Sequence, residues 1–173
     1  MSGGAWLAGL LAALALGAPG AVSPASVAGT YLVAATVEVH AQGLPGHHEL
    51  RADAVLEPGR GARDVVITLS SQGYRCRLSG RLGEAGALEL PAGQRCRLDL
   101  EEEAFGGRVD CALAWGRGTA REGKLSLELM VELRGLVRLG PGQGALAMLS
   151  TEVPVAGKAE ATATGRRDES RRR

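Results

Sequence analysis

The stretch Leu125-Ser126-Leu127-Glu128-Leu129-Met130-Val131-Glu132-Leu133 puts an apolar residue at every odd position, with Ser126, Glu128 and Glu132 between them. Successive side chains of a strand leave opposite sides of the pleat, so period two means one buried and one wet face. The same alternation runs through Tyr31 to Val39, Leu50 to Leu56, Val65 to Leu69, Tyr74 to Leu82, Cys96 to Leu100 and Val109 to Trp115. Turn formers separate these runs: Gly43-Leu44-Pro45-Gly46, Glu57-Pro58-Gly59, Ser71-Gln72-Gly73 and Pro91-Ala92-Gly93. Strands so spaced predict an all-β antiparallel meander of about eight to ten strands, closed or partly open as a barrel, with a β-sandwich as the alternative.

Gly135 interrupts a continuing Leu136-Val137-Arg138-Leu139 in the manner of a bulge, and Gly140-Pro141-Gly142-Gln143-Gly144 turns the chain into a strand from Ala145 to Val155. One short helix is expected over Asp99 to Phe105, with Asp99 as cap, three glutamates on the first turn and Gly106-Gly107 as the stop.

Met1 to Ala21 carry no charged side chain, and Ala5 to Leu16 is apolar apart from one glycine. Such a run is shorter than the roughly 20 residues that cross a bilayer. It ends in Gly17-Ala18-Pro19-Gly20-Ala21, small residues that suit cleavage, so residues 1–21 read as a signal peptide. Residues 22–164 are then a single β domain, and residues 165–173, which offer nothing apolar to bury, a disordered basic tail. A secreted or periplasmic protein follows, with no transmembrane span after cleavage and a monomer expected.

In an exported chain the three cysteines, Cys76, Cys96 and Cys111, predict one disulfide and one leftover thiol. Three pairings are possible. The echo between Gln72-Gly73-Tyr74-Arg75-Cys76-Arg77-Leu78 and Gln94-Arg95-Cys96-Arg97-Leu98 favours Cys76 with Cys96, the arginines staying wet while the cysteines point inward.

Ala28-Gly29-Thr30-Tyr31, at the start of the first strand, resembles the Gly-x-Trp opening of lipocalins and other calycin barrels. Only Gly29 and Tyr31 carry over, with Tyr31 in place of the family's tryptophan. The resemblance implies that they close the barrel base, that the mouth holds a small apolar ligand, and that a late arginine accompanies them. Neither Arg134 nor Arg138 can be assigned that role. A cavity in such a barrel would be lined by inward residues such as Val37, Ile67, Leu69, Leu78, Leu127 and Leu129.

Two further groups are candidates for chemistry. His40, His47 and His48 flank the 43–46 turn, where imidazoles on adjacent strands could hold zinc or copper; wet histidines at a loop rim are the plainer reading. Arg75, Arg77, Arg95 and Arg97 would share a face if their strands are neighbours, and could grip an anionic headgroup or carboxylate. A solvated outer face is again the plainer reading.

A net charge of +1 supplies no overall field toward nucleic acid. Tyr31, Tyr74, Phe105 and Trp115, the only aromatics after the apolar run, make a poor set of stacking platforms. No nucleophile elbow or metalloprotease helix is present, and the glycines of 140–144 lack the Lys-Ser/Thr of a phosphate loop. The expectation is a non-catalytic protein without a cofactor that binds a small apolar or amphipathic ligand. The alternative is a structural or interaction domain with an envelope protein as partner.

Overall fold

The computed structural model describes residues 21–41, 46–71, 74–102, 105–139 and 151–172. Nine strands form one antiparallel sheet: β1 (Gly29–Ala41), β2 (His47–Pro58), β3 (Asp64–Ser71), β4 (Tyr74–Leu82), β5 (Ala87–Leu90), β6 (Arg95–Glu102), β7 (Phe105–Arg121), β8 (Lys124–Leu139) and β9 (Thr151–Arg167). β9 pairs with β1, and β3 with β4, so the sheet closes on itself as an eight-stranded barrel. β5 bridges β4 to β7 at one end, and β6 is the extra strand, bridging the same two neighbours at the other. The expected barrel is present, and the sandwich alternative is not.

The inward face follows from register. Tyr31, Val33, Ala35 and Val37 stand opposite Ala54, Ala52, Leu50 and His48 on β2, and directly paired residues share a face. On β9 the inward set opposite β1 is Arg167, Gly165, Ala163, Ala161 and Ala159. With so few aromatics, leucines fill the interior. Leu90 lies over Gly80 and Gly116, where a Cβ would come within 2.6 Å of its Cδ2 and 2.9 Å of its Cβ. Tyr31, Ile67 and Leu127 are fully buried, and Leu78, Leu113 and Leu125 nearly so. An eight-stranded barrel is just wide enough for such side chains to fill it.

The base of this barrel is plugged. A one-turn helix, α1 (Pro24–Val27), carries a reciprocal Ser23–Ser26 capping box with Pro24 in its first turn, the position where a missing N–H costs nothing. The β7–β8 turn at the same end uses Glu122 and Gly123, both at positive φ, the hairpin turn that matches strand twist.

Several expectations need correction. Asp99 to Phe105 is not helical: β6 runs to Glu102 and β7 starts at Phe105. Asp99 caps nothing, because Arg108 stands directly opposite it on β7 and binds its carboxylate at 3.2 Å. Gly135 makes no bulge, since the ladder runs unbroken through Val109, Gly135 and Val155. A side chain there would collide with the Arg108 carbonyl, and the actual register shift lies between Leu113 and Trp115.

The expected strand from Ala145 to Val155 begins at Thr151 among the described residues and runs on to Arg167. The expected disordered tail, 165–173, therefore starts inside β9, and Glu169–Arg172 form a 3-10 turn. The proposed signal peptide lies almost wholly outside the described residues.

Candidate functional site

The buried side chains fall into two clusters. The larger surrounds Tyr31, Ile67, Leu82 and Leu127 near the plugged base; the smaller contains Val109, Leu133, Val137, Val155 and Ala159 toward the other end. Cys96 and Val131 pack against both. Of the residues expected to line a cavity, Ile67, Leu69, Leu78, Leu127 and Leu129 belong to the filled base. Only Val37 lies where the interior meets solvent.

That opening arises from unequal strands. β3 and β4 stop at Ser71 and Tyr74, while β1, β2, β6 and β7 continue past them. Inward residues along this edge stay half-buried: Ala35, Val37 and Val39 on β1, Tyr74 on β4 and Leu98 on β6. Leu50 shares the inward face through its pairing with Ala35, yet is 46% exposed. The result is a half-buried apolar edge where the two clusters meet, Ala35 and Tyr74 packing on the larger and Val37, Val39 and Leu98 on the smaller. Burial pushes the Tyr74 phenol up to about 12, aided by the neighbouring Cys111, so it stays a neutral donor at physiological pH. No described residue supplies a hydrogen-bond partner to its hydroxyl.

The disulfide joins Cys76 to Cys96, as the repeated Arg-Cys-Arg pattern suggests. Cys111 is the leftover thiol, directly opposite Cys96 on β7 and buried. Burial drives its ionisation up to about 11, with Asp110 adding to the effect, so it is a poor nucleophile near neutrality.

The three histidines do not converge. His47 stands opposite Glu38 on the outer face, with Nδ1 2.6 Å from its carboxylate, and that bond holds its pKa above 6.5. His48 pairs with Val37 and so faces inward, whereas His40 lies opposite Lys158 on the outer face. Among the described residues no three His, Cys, Asp or Glu side chains gather as a metal site.

The four arginines do share a face. Arg75 on β4 is directly opposite Arg97 on β6, and Arg77 and Arg95 are likewise exposed on the same side. Arg97 reaches Asp110 at 3.3 Å.

Arg167, expected in a disordered tail, ends β9 and lies against Tyr31. Its guanidinium donates to the Tyr31 hydroxyl at 3.0 Å and to the Ser26 carbonyl at 2.7 Å, while that hydroxyl donates to the Val27 carbonyl at 2.7 Å. Arg134 and Arg138 both face outward on β8, opposite Asp110 and Glu152 respectively, away from Tyr31. The signal in the sequence was the small-residue alternation Ala159-Glu160-Ala161-Thr162-Ala163-Thr164-Gly165, which carries period two up to Arg167. The chain matches no known protein family, no curated protein and no solved structure.

Proposed function

We propose that this protein is an exported, non-catalytic carrier that holds a small apolar or amphipathic molecule in a notch along the half-buried apolar edge where its two core clusters meet. The observation that carries this reading is Leu50, a large apolar side chain on the inward face that remains 46% exposed. Closed apolar interiors bury such residues, whereas ligand sites are concave, mostly apolar and carry a few placed polar groups. The Tyr74 hydroxyl suits that last role and would orient the polar end of an amphipathic guest. A disulfide supports an oxidising compartment, as does the apolar run of residues 5–16. The lipocalin-like reading rests on the barrel together with Gly29, Tyr31 and the arginine across them.

Leu32 provides the control that the test needs. It is 57% exposed but points outward from β1, on the face opposite to Leu50. Titration with a neutral, environment-sensitive apolar dye should give saturable binding to the parent protein. Leu50→Arg should abolish it and Leu32→Arg should not. Equal binding by both variants would sink the carrier reading.

A further inference from the structure

We propose that Arg75, Arg77, Arg95 and Arg97 form a second site, independent of the notch, which binds a phosphate-type oxyanion on the outer face of the barrel, with the Cys76–Cys96 disulfide as its positioning element. The site is built from two Arg-Cys-Arg tripeptides, 75–77 on β4 and 95–97 on β6. In each, the cysteine points inward, so period two sends both flanking arginines outward. The ladder sets Tyr74 opposite Leu98 and Arg75 opposite Arg97. One step further the two cysteines are bonded, their Cα atoms 5.2 Å apart, which brings Arg77 alongside Arg95. Four guanidinium groups therefore rise from a two-by-two block whose strands are tied covalently beneath them.

The charge pattern here differs from the nearby outer face. Arg108, Arg117 and Arg138 each stand opposite a carboxylate and bind it: Asp99 at 3.2 Å, Glu128 at 2.6 Å and Glu152 at 3.2 Å. In the block, arginine faces arginine. On the β3 side Thr68 and Ser70 stand opposite Arg77 and Arg75, and on the β7 side Ala112 stands opposite Arg95. Arg97 is the exception: Asp110 stands directly opposite it on β7 and binds it at 3.3 Å, the single carboxylate in ion-pair contact with the four among the described residues. It also stands opposite Arg134 in the ladder.

Like charges directly across a ladder weaken a sheet. A bound oxyanion reverses that sign, because guanidinium forks grip phosphate oxygens in pairs. Ala112 also leaves a shallow hollow beside the block, rimmed by Arg95, Arg97 and Arg134 with Asp110 and Glu132. Neighbouring stems lie about 5 Å apart across the strands and about 7 Å apart along them, a spacing that suits one phosphate or pyrophosphate held from two sides.

The test uses inorganic phosphate and pyrophosphate, titrated calorimetrically into the oxidised protein. Arg75→Gln and Arg95→Gln should each weaken pyrophosphate binding about tenfold, as loss of one charge-assisted contact implies. Arg117→Gln, which removes the same charge elsewhere, should change it less than about twofold by the same arithmetic. The thermal midpoint of Arg75→Gln should not fall, which separates lost binding from lost folding. The double variant Cys76→Ser/Cys96→Ser should bind more weakly with all four arginines intact; parental affinity there would remove the disulfide's role.

Vesicles bearing a phosphate-headgroup lipid, against zwitterionic vesicles, separate the sources. Retention on the former without affinity for soluble pyrophosphate assigns a lipid headgroup, and affinity for both assigns the phosphate group itself. No binding of any probe at millimolar concentration, or equal losses in Arg75→Gln and Arg117→Gln, would overturn the proposal.

Discussion

The guanidinium carbon of Arg167 lies 5.5 Å from the centre of the Tyr31 ring, joining the end of β9 to the start of β1. Gly29 makes the room: a Cβ there would sit 3.3 Å from Arg167 Nε, and its backbone is at a φ of +147° that side chains rarely adopt. Tyr31 has no exposure, and its hydroxyl is both donor to α1 and acceptor from Arg167. Tyr31→Phe should therefore cost about 1–3 kcal/mol, since it leaves buried partners unsatisfied. Arg167→Ala should cost a similar amount, and Arg167→Lys should recover only part, because an ammonium cannot both stack and fork. Urea denaturation at unchanged slope is the check.

Gln94 stands in for a missing piece of strand. β5 ends at Leu90 and β6 starts at Arg95, so Ser79 of β4, paired with Val66 on its β3 side, has no ladder partner on the other side. The Gln94 amide accepts from the Ser79 N–H at 2.6 Å and donates to the Ser79 carbonyl at 2.9 Å, with a further donation to the Pro91 carbonyl at 3.0 Å. Gln94→Glu keeps the acceptor but sets a carboxylate against two carbonyls. It should destabilise more than Gln94→Ala, which should itself cost about 1 kcal/mol. Faster hydrogen exchange at the Ser79 amide in both variants is the local readout.

Alkaline pH should destabilise the barrel where Tyr74 and Cys111 are buried. Cys111 and Tyr74 are both harder to ionise in the folded chain than in the unfolded one, rising from 9.0 to about 11 and from 10.0 to about 12. Their contribution is whole below the unfolded thiol's pKa and declines as pH rises through the folded values, because only the unfolded chain releases these protons readily. Denaturation midpoints measured from neutral pH upward should fall in that window. The fall should be shallower in Cys111→Ala.

His47 should titrate above 6.5, its hydrogen bond to Glu38 being the main cause and the charge of the same carboxylate the next. Any stability from the pair is present below 6.5 and lost as pH rises through the raised value. In an NMR titration Glu38→Gln should return His47 toward 6.5.

Period two alone marked out most of the barrel. The expected Tyr74 to Leu82 coincides with β4, and the expectations for β1, β2, β3, β6, β7 and β8 fall within the observed strands. Alternation is local, so it can be read wherever large apolar residues keep it visible. It failed at Ala87–Leu90, four residues long, and over 157–165, where alanine and glycine blur the contrast between faces. The pairing of Cys76 with Cys96 was legible because two copies of one tripeptide repeat the same facing.

What the sequence by itself determined was the identity of most strands, their inward and outward faces, and the composition of a leucine-rich core. The tertiary structure decided which strand lies beside which. Pairing is non-local: it set Arg108 against Asp99 and so made strand of an acidic run that reads as a helix start. It also carried Arg167 across 136 positions to Tyr31 and turned four scattered arginines into one block. The same pairing ended β3 and β4 short of their neighbours, and that inequality left Leu50 facing inward yet wet.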